Sequence, residues 1–160
     1  MAVALTKFRQ FVEELASAVH DLSTGTADTF FALLTNTAPN VADTVVDTNA
    51  TPCTVEPTSH AAEIAAGNGY TKGGKTCGTV TGAQSNGIFK FTLGTDPVWT
   101  ATPAAMATFR YIVLYNSAKG AAATRPVIGW YDYGVGGVTL NLDETFTLNL
   151  DQTNGVLTVE

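Results

Sequence analysis

The two histidines are the side chains best suited to act as a general base. A nucleophilic site would need one of them beside a Ser, Cys or Thr, with a carboxylate to orient the ring. His20 lies in or near the N-terminal element, and His60 lies in a segment rich in turn-forming residues. No spacing in the sequence brings either histidine to such partners. We therefore expect both to be surface residues or hydrogen-bonded structural residues.

Cys53 and Cys77 are the only cysteines, and their spacing matches no zinc or redox pattern. A metal site built from them and the two histidines would have to collect ligands from scattered loops, so we expect no metal and no cofactor. Two free thiols are the simplest interpretation. A disulfide between them is the alternative; it would contribute about 3 kcal/mol and would require an oxidising compartment.

Acidic residues occur in two groups that could do chemistry. Asp43, Asp47 and Asn49 offer oxygen ligands, but the closing Glu of a calcium loop is missing, so we expect a solvated turn. Asp143 and Glu144 are adjacent in a turn between strands, whereas glycoside hydrolysis needs two carboxylates across a cleft. Neither group predicts an active site, and we expect a chain that is not an enzyme.

A glycine-rich stretch at residues 67–74 resembles a phosphate-binding loop only superficially. It lacks the Gly-Lys-Ser/Thr ending and the following helix, so turn geometry explains it better.

The chain carries 14 acidic and 8 basic residues, a net charge of −6, and its basic residues are scattered. Nucleic-acid binding depends on clustered Lys and Arg, so we expect no nucleic-acid partner.

Aromatic residues are concentrated around Trp99, Trp130, Tyr131 and Tyr133. If exposed, they could stack on a sugar or bind a partner protein. The favoured interpretation is that alternate members are core residues of a β-sheet protein.

The elements that must position these residues are predominantly strands. After Lys75, alternating apolar and polar residues separated by Gly, Pro, Asn and Asp predict strands at short intervals: 76–81, 87–93, 98–101, 108–116, 126–133, 145–151 and 155–160. Residues 111–115 are continuously apolar and predict a central strand, and the turn at 151–155 predicts a hairpin. The fold class expected is mainly β: a jelly-roll-like antiparallel β-sandwich with one N-terminal helical or mixed segment.

The 160 residues fit a single domain, residues 1–160. Residues 6–22 have helical spacing, although residues 17–22 can also be interpreted as a strand, and an arm is one interpretation of the N-terminal segment, residues 1–27. Residues 28–160 then form the sandwich, beginning with a strand at 30–35 and including a surface loop at 40–75. No apolar run reaches the roughly 20 residues of a membrane-spanning helix, so no membrane association is expected.

A set of short motifs lies along the chain from residue 11 onward: FVEEL (11–15), VHDL (19–22), LLTNTAP (33–39), EIAAGNGYT (63–71), PVWTA (97–101), FRYIVLY (109–115), IGWYDYG (128–134), ETF (144–146) and NGVL (154–157). On these residues the chain resembles a family of small structural proteins of tailed bacteriophages. The motifs occur in the expected order over most of the chain. The Pro-containing stretch around Cys53 departs from the pattern.

The resemblance implies a virion protein that is assembled in the host cytoplasm, similar in size and β-content to the cement proteins that decorate phage heads. Its expected partners are the major capsid protein and further copies of itself, as a dimer or trimer. A tail, baseplate or fibre component that binds carbohydrate is the alternative. Candidate partner-binding residues are Phe8, Phe11, Val12, Leu15, Pro52, Pro57, Trp130 and Tyr131.

Overall fold

The structure of this protein is a computed structural model that describes residues 3–23 and 28–159. Strands make up 38% of the chain and helix 5%, and the strands pair in antiparallel fashion. The prediction of a mainly β, antiparallel protein is therefore confirmed.

Thirteen strands and one helix lie within the described ranges. In chain order they are β1 (Thr6–Lys7), α1 (Arg9–Ala16), β2 (Thr29–Thr35), β3 (Val45–Asp47), β4 (Thr54–Glu56), β5 (Ala61–Ala62), β6 (Lys75–Thr79), β7 (Gln84–Ser85), β8 (Ile88–Phe91), β9 (Val98–Thr100), β10 (Tyr111–Asn116), β11 (Arg125–Asp132), β12 (Thr145–Thr147) and β13 (Leu157–Val159). Every strand predicted after Lys75 is present, generally over shorter bounds.

The largest sheet has the strand order β5-β4-β3-β11-β10-β2-β6, with β1 also paired to β11. Two small sheets, β12-β9 and β13-β8-β7, accompany it. The main sheet curls, because Thr35 at the end of β2 forms a bridge with Glu63, just after β5, and the Ile64 amide donates to the Leu34 carbonyl at 2.9 Å. Strands at opposite ends of the run β5 to β2 are thereby joined, and the sheet forms a half-barrel.

Strand β10 shows how the core is divided between the two faces of this sheet. Ile112 and Leu114 point into one apolar cluster, whereas Val113 points into a second cluster with Val46 and Val55 from the far side of the curl. All six residues of β10 are buried. The prediction of a central strand covered on both faces is confirmed, and each such buried aliphatic side chain contributes about 1.5–3 kcal/mol.

The N-terminal segment is part of the fold. The helix is confined to α1, residues 17–22 form no strand, and β1 pairs with β11 through Thr6 and Trp130. Phe8 and Phe11 are completely buried, one in each apolar cluster. The described part of residues 1–27 is therefore not a projecting arm. Burial of its two phenylalanines in the core is favourable in free energy, whereas an arm would leave both rings exposed to water. Residues 1, 2 and 24–27 of that proposed arm lie outside the described residues.

Residues 40–75 contain three short strands, so the prediction of a loop there is wrong in part. Val46 on β3 pairs with Val55 on β4, although the surrounding Pro and Asp residues obscure the periodicity of these strands. Asp43 is completely buried and accepts hydrogen bonds from the amides of Asn40, Thr58 and Ser59 at 2.7–2.8 Å, so it is not a solvated residue.

The predicted C-terminal hairpin is also wrong. β12 pairs with β9 and β13 pairs with β8, so the turn at residues 151–155 connects two different sheets. Gly155 has the positive φ expected of a tight turn, but Asn154 does not, and Asp151 is the second residue with a positive φ. Local turn chemistry predicted the change in direction correctly, whereas strand pairing was decided by distant partners.

Candidate functional site

An open groove of about 810 Å³ lies in the described part of the molecule. Three segments form it: the N-terminal residues Val3, Ala4 and Leu5, the end of β11, and the chain on either side of the C-terminal turn. Its lining residues are Val3, Ala4, Leu5, Tyr131, Tyr133, Phe146, Thr147, Leu148, Asn149, Leu150, Asp151, Gly155 and Val156.

The aromatic wall of the groove is fixed by edge-to-face ring contacts. Phe146 on β12 meets Tyr133 at 5.2 Å between ring centroids and Phe109 at the same distance, both in T-shaped geometry. Such pairs contribute about 0.5–1.5 kcal/mol beyond the area they bury. Phe146 therefore holds Tyr133 in place at the point where β11 leaves the sheet.

The polar groups of the groove are suited to hydrogen bonding. Burial raises the pKa of the Tyr131 phenol well above its usual range and also raises the pKa of Tyr133, so both hydroxyls stay protonated near neutral pH. Asp151 carries the only charge among the described lining residues, and hydrogen bonds from the Asn154 side chain and backbone lower its pKa. Because its carboxylate is occupied with the turn at 2.8–2.9 Å, it is poorly placed for proton transfer.

Three of the eight predicted partner-binding residues, Phe8, Phe11 and Trp130, are buried in the two apolar clusters. Phe8 packs against Trp130 with ring centroids 4.6 Å apart and ring planes tilted by 52°, and both are buried in the cluster that includes Val46 and Val55. Phe11 packs in the other cluster against His20, with centroids 5.3 Å apart. The prediction that Phe8, Phe11 and Trp130 offer a docking surface is not met in the folded chain, because apolar rings of this size are buried.

Of the other five predicted partner-binding residues, all but Tyr131 are at least partly exposed. Val12 on α1 is 57% exposed, Leu15 is half-buried, and Pro52 and Pro57 are exposed on either side of β4. Tyr131 is buried apart from the face that lines the groove. These residues do not form one surface: only Tyr131 joins the groove. As expected, Trp99 is a core residue.

Sequence reasoning missed the contribution of the C-terminal third to this groove. Phe146 and residues 148–151 were assigned only to a strand, because their alternation indicates sheet structure without showing which face remains open. The signal that could have pointed to them is that the sequence contains both an aromatic-rich segment, residues 130–133, and an amphipathic strand that carries Phe146.

His20 is buried in a network of hydrogen bonds. Its Nε2 lies 3.0 Å from the Glu14 carboxylate and its Nδ1 lies 3.0 Å from the Asn116 amide nitrogen. Asn116 also donates to Asp28 at 2.6 Å, and Lys119 pairs with Asp28 at 3.3 Å. Because the Asn116 amide is a donor, Nδ1 accepts, and the ring proton on Nε2 donates to Glu14. The network satisfies its polar groups internally and confirms His20 as a hydrogen-bonded structural residue.

His60 is exposed and contacts the carboxylate of Glu56, four residues earlier, which confirms it as a surface residue.

The glycine-rich stretch is a turn, as predicted: Gly67 and Tyr70 exchange backbone hydrogen bonds at 2.9 and 3.0 Å. Within the described ranges, no three His, Cys, Asp or Glu residues are close enough together to hold a metal ion. No described helix has the length and apolar character needed to cross a membrane.

Both cysteines are free and buried, so the interpretation as two thiols is confirmed over the disulfide. Burial raises the pKa of the Cys53 thiol to about 12, and Glu63 adds to this shift through a hydrogen bond and its negative charge. Burial raises the pKa of Cys77 above its usual range as well. Because the thiolate is the reactive form, neither cysteine is activated for nucleophilic attack.

Glu63 is a buried carboxylate whose role the sequence did not reveal. It accepts hydrogen bonds from the Cys53 amide at 2.9 Å, the Gly73 amide at 2.8 Å and the Tyr70 hydroxyl at 2.8 Å. It thus joins β4, β5 and the turn after residue 70.

Comparison with protein-family models, with curated proteins and with solved structures finds no match.

Proposed function

We propose that this chain is a non-enzymatic decoration or cement protein of a tailed-bacteriophage head, located in the virion, which binds across neighbouring subunits of the major capsid protein. Two observations support the proposal: the resemblance of most of the chain to small phage structural proteins, and the groove beside Tyr131 and Tyr133. The groove carries the argument, because its chemistry suits protein binding.

Most of the residues that line the groove are apolar or aromatic, and its polar side chains are neutral apart from Asp151. Burial of Tyr and Phe surface together with a few hydrogen bonds is how stable protein interfaces gain affinity, and Tyr is enriched among the residues that contribute most. An extended segment of a coat subunit fits such an open groove. The side chains that line the groove supply binding energy, and the proposed role requires no chemical reaction.

The physical mechanism is linkage between binding and assembly. A ligand that binds only the assembled shell stabilises that state by RT ln(1 + [L]/Kd), which is about 2.7 kcal/mol when the ligand is at 100 times its Kd. Many copies act together, so each contact can be modest. Association of this chain as a dimer or trimer would place several grooves on one cap and raise its effective affinity.

The finer assignment of the fold belongs to the same proposal. We suggest that the curled main sheet, and the layer formed by the small sheets β12-β9 and β13-β8-β7, correspond to the two layers of a jelly-roll-like sandwich. The two apolar clusters on either side of β10 are consistent with packed layers.

The proposal is tested by adding the purified chain to expanded capsids that lack it. Saturable binding at a copy number comparable to that of the coat protein is expected, together with a higher melting temperature of the shell. Tyr133→Ala should weaken this binding, whereas Val135→Ala, on the same exposed loop but outside the groove lining, should not. Detection of the chain only on isolated tails, or its absence from purified virions, would contradict the proposal.

A tail, baseplate or fibre component that binds carbohydrate is the second candidate. Tyr133 is half-exposed in the groove beside Asn149 and Thr147, and aromatic rings with nearby amide and hydroxyl groups are suited to sugars. Trp130, which first suggested this function, is buried against Phe8 and does not contribute. A glycan array without signal for the wild-type chain would exclude this candidate.

A further inference from the structure

A second cavity, of about 220 Å³, lies at one end of the curled main sheet, next to the turn that follows Tyr70. Lys72 and Arg125 line it from two segments that are far apart in sequence, and Cys53 and Tyr115 form part of its inner wall. Since one water occupies roughly 30 Å³, the cavity can hold a carboxylate group with part of the chain that carries it.

Neither cation has a carboxylate partner among the residues that the structure describes. Lys72 donates to the Thr51 hydroxyl at 2.9 Å and the Asn49 carbonyl at 3.4 Å. Arg125 donates through one terminal nitrogen to the carbonyls of Lys119 and Gly120, at 3.1 and 3.0 Å. Two such cations converging on one cavity are notable in a chain whose net charge is −6.

Glu63 lies behind the cavity wall and reduces its positive charge without cancelling it. Its carboxylate is occupied by the amides of Cys53 and Gly73 and by the Tyr70 hydroxyl. It forms no ion pair with Lys72 or Arg125 within 4.0 Å. Among the described residues that line the cavity, Lys72 and Arg125 carry the only charges, and both are positive.

The free donors of Arg125 have the geometry that a carboxylate requires. Its Nη1 is used by the two carbonyls, which leaves Nε and Nη2, the pair that binds a carboxylate side-on with two parallel hydrogen bonds. Arg110 in the same molecule binds Asp132 in this way, with Nε and Nη2 donating at 2.7 and 2.8 Å. Arg125 offers the same fork without an acidic partner.

The segments that carry the two cations are fixed before any ligand arrives. The Tyr115 hydroxyl donates to the Gly73 carbonyl at 2.8 Å, directly beside Lys72. The Thr48 amide and hydroxyl both donate to the Ala122 carbonyl at 2.7 Å, which holds the turn before Arg125. Because these hydroxyls donate elsewhere, recognition of an anion depends on the two cations, whose positions are preorganised.

We propose that this cavity is a carboxylate-binding site, in which Lys72 and Arg125 together hold the side-chain or C-terminal carboxylate of a polypeptide. This inference does not depend on the phage assignment. A long polyanion is a poor fit because the whole chain is acidic, whereas a single carboxylate experiences only the local excess of positive charge. The site binds without covalent chemistry.

The test is a titration of the full, ¹⁵N-labelled chain monitored by NMR. Four probes are used: sodium acetate, inorganic phosphate, a short capped peptide with one Glu, and a short peptide with a free C-terminal carboxylate. We expect acetate and at least one peptide to shift the amide signals of Gly73 and Ser117 in a saturable way, at fixed ionic strength. The stronger of the two peptides identifies the kind of carboxylate.

Variants assign the effect to the two cations. Lys72→Met and Arg125→Gln should each weaken acetate binding at least about tenfold, because each removes a charge-assisted hydrogen bond. Arg125→Lys keeps the charge but loses the fork, so it should bind with intermediate affinity. Lys90→Met is the matched control, since Lys90 also donates to a backbone carbonyl, that of Thr153, but lies outside the cavity.

The amide spectrum of each variant reports whether the fold is retained, and Arg125→Lys keeps the proposal testable if Arg125→Gln does not fold. Binding of phosphate without binding of any carboxylate would overturn the assignment of the ligand. Shifts spread over the whole surface, or equal losses in Lys90→Met and Lys72→Met, would overturn the site itself.

Discussion

Tyr70 donates a hydrogen bond from its phenolic hydroxyl to the buried carboxylate of Glu63, seven residues earlier in the chain, at 2.8 Å. The same hydroxyl accepts a hydrogen bond from the Leu34 amide at 3.3 Å. A single side chain thereby connects the turn after β5 to the end of β2, the place where the curled sheet meets itself. Burial and the charge of Glu63 raise the pKa of Tyr70, so the hydroxyl stays protonated and able to donate.

Tyr70→Phe should lower the free energy of unfolding by about 1–3 kcal/mol, because it removes a hydrogen bond to a buried carboxylate and leaves that acceptor less satisfied. Denaturant unfolding at pH 7 measures the change. Tyr133→Phe is the matched control: its hydroxyl makes no hydrogen bond to any described residue, and its loss should change stability by less than about 0.5 kcal/mol. Equal losses in the two variants would refute the role given to Tyr70.

Phe8→Ala should destabilise the protein by about 3–5 kcal/mol, the usual range for an aromatic residue removed from a core. Phe8 is completely buried and packs against Trp130. Val12→Ala on the adjacent helix should change the free energy of unfolding by no more than about 0.5 kcal/mol, because Val12 is mostly exposed. Thermal or denaturant unfolding distinguishes the two. A small effect of Phe8→Ala would mean that the N-terminal segment is not part of the core.

Arg110→Gln should raise the pKa of Asp132, because the Arg110 guanidinium, through its side-chain hydrogen bonds, is the main cause of the lowered pKa of that carboxyl. A group with a lowered pKa in the folded state stabilises the fold above its unfolded pKa of about 3.9, and this stabilisation is lost as the pH falls through the folded pKa. The carboxyl ¹³C shift of Asp132 follows the titration. Asp151, whose lowered pKa is due to Asn154, should titrate unchanged in the same variant.

Cys53 and Cys77 should react slowly with a thiol reagent in the folded protein at pH 8 and rapidly after denaturation. Burial raises the pKa of both thiols, so little thiolate is present, and access to the sulfur atoms is restricted. A colorimetric thiol assay without reductant should count two thiols in the denatured chain. A count of none would indicate a disulfide, and fast reaction of the folded protein would contradict the burial of both cysteines.

Local patterns in the sequence predicted the strands of the second half well, because alternation as in residues 89–93 depends only on which side chains face the core. The pairing of strands depends on distant residues. The local turn signal at 151–155 therefore predicts a hairpin, although β13 pairs with β8. The short strands β3, β4 and β5 are too brief to show a period. The helix was overextended, since Val19 and Leu22 continue its spacing after α1 has ended at Ala16.

The candidate site was predictable only in part. The aromatic neighbours of Tyr131 single it out, but the N-terminal and C-terminal segments that form the groove around it are distant in the sequence. Lys72 and Arg125 are 53 positions apart, and only the curl of the sheet brings them to one cavity. Glu63 looked like an ordinary acidic residue, because its three donors lie at Cys53, Tyr70 and Gly73.

The pairing of β1 with β11 has a consequence for synthesis. While the ribosome is still translating the middle of the chain, Phe8, Phe30 and Leu33 have emerged without the strands that will cover them. At about 5–20 residues per second, this interval is on the order of seconds. The nascent chain must therefore stay free of aggregation until β10 and β11 have left the exit tunnel, because the central pairings of the main sheet cannot form before then.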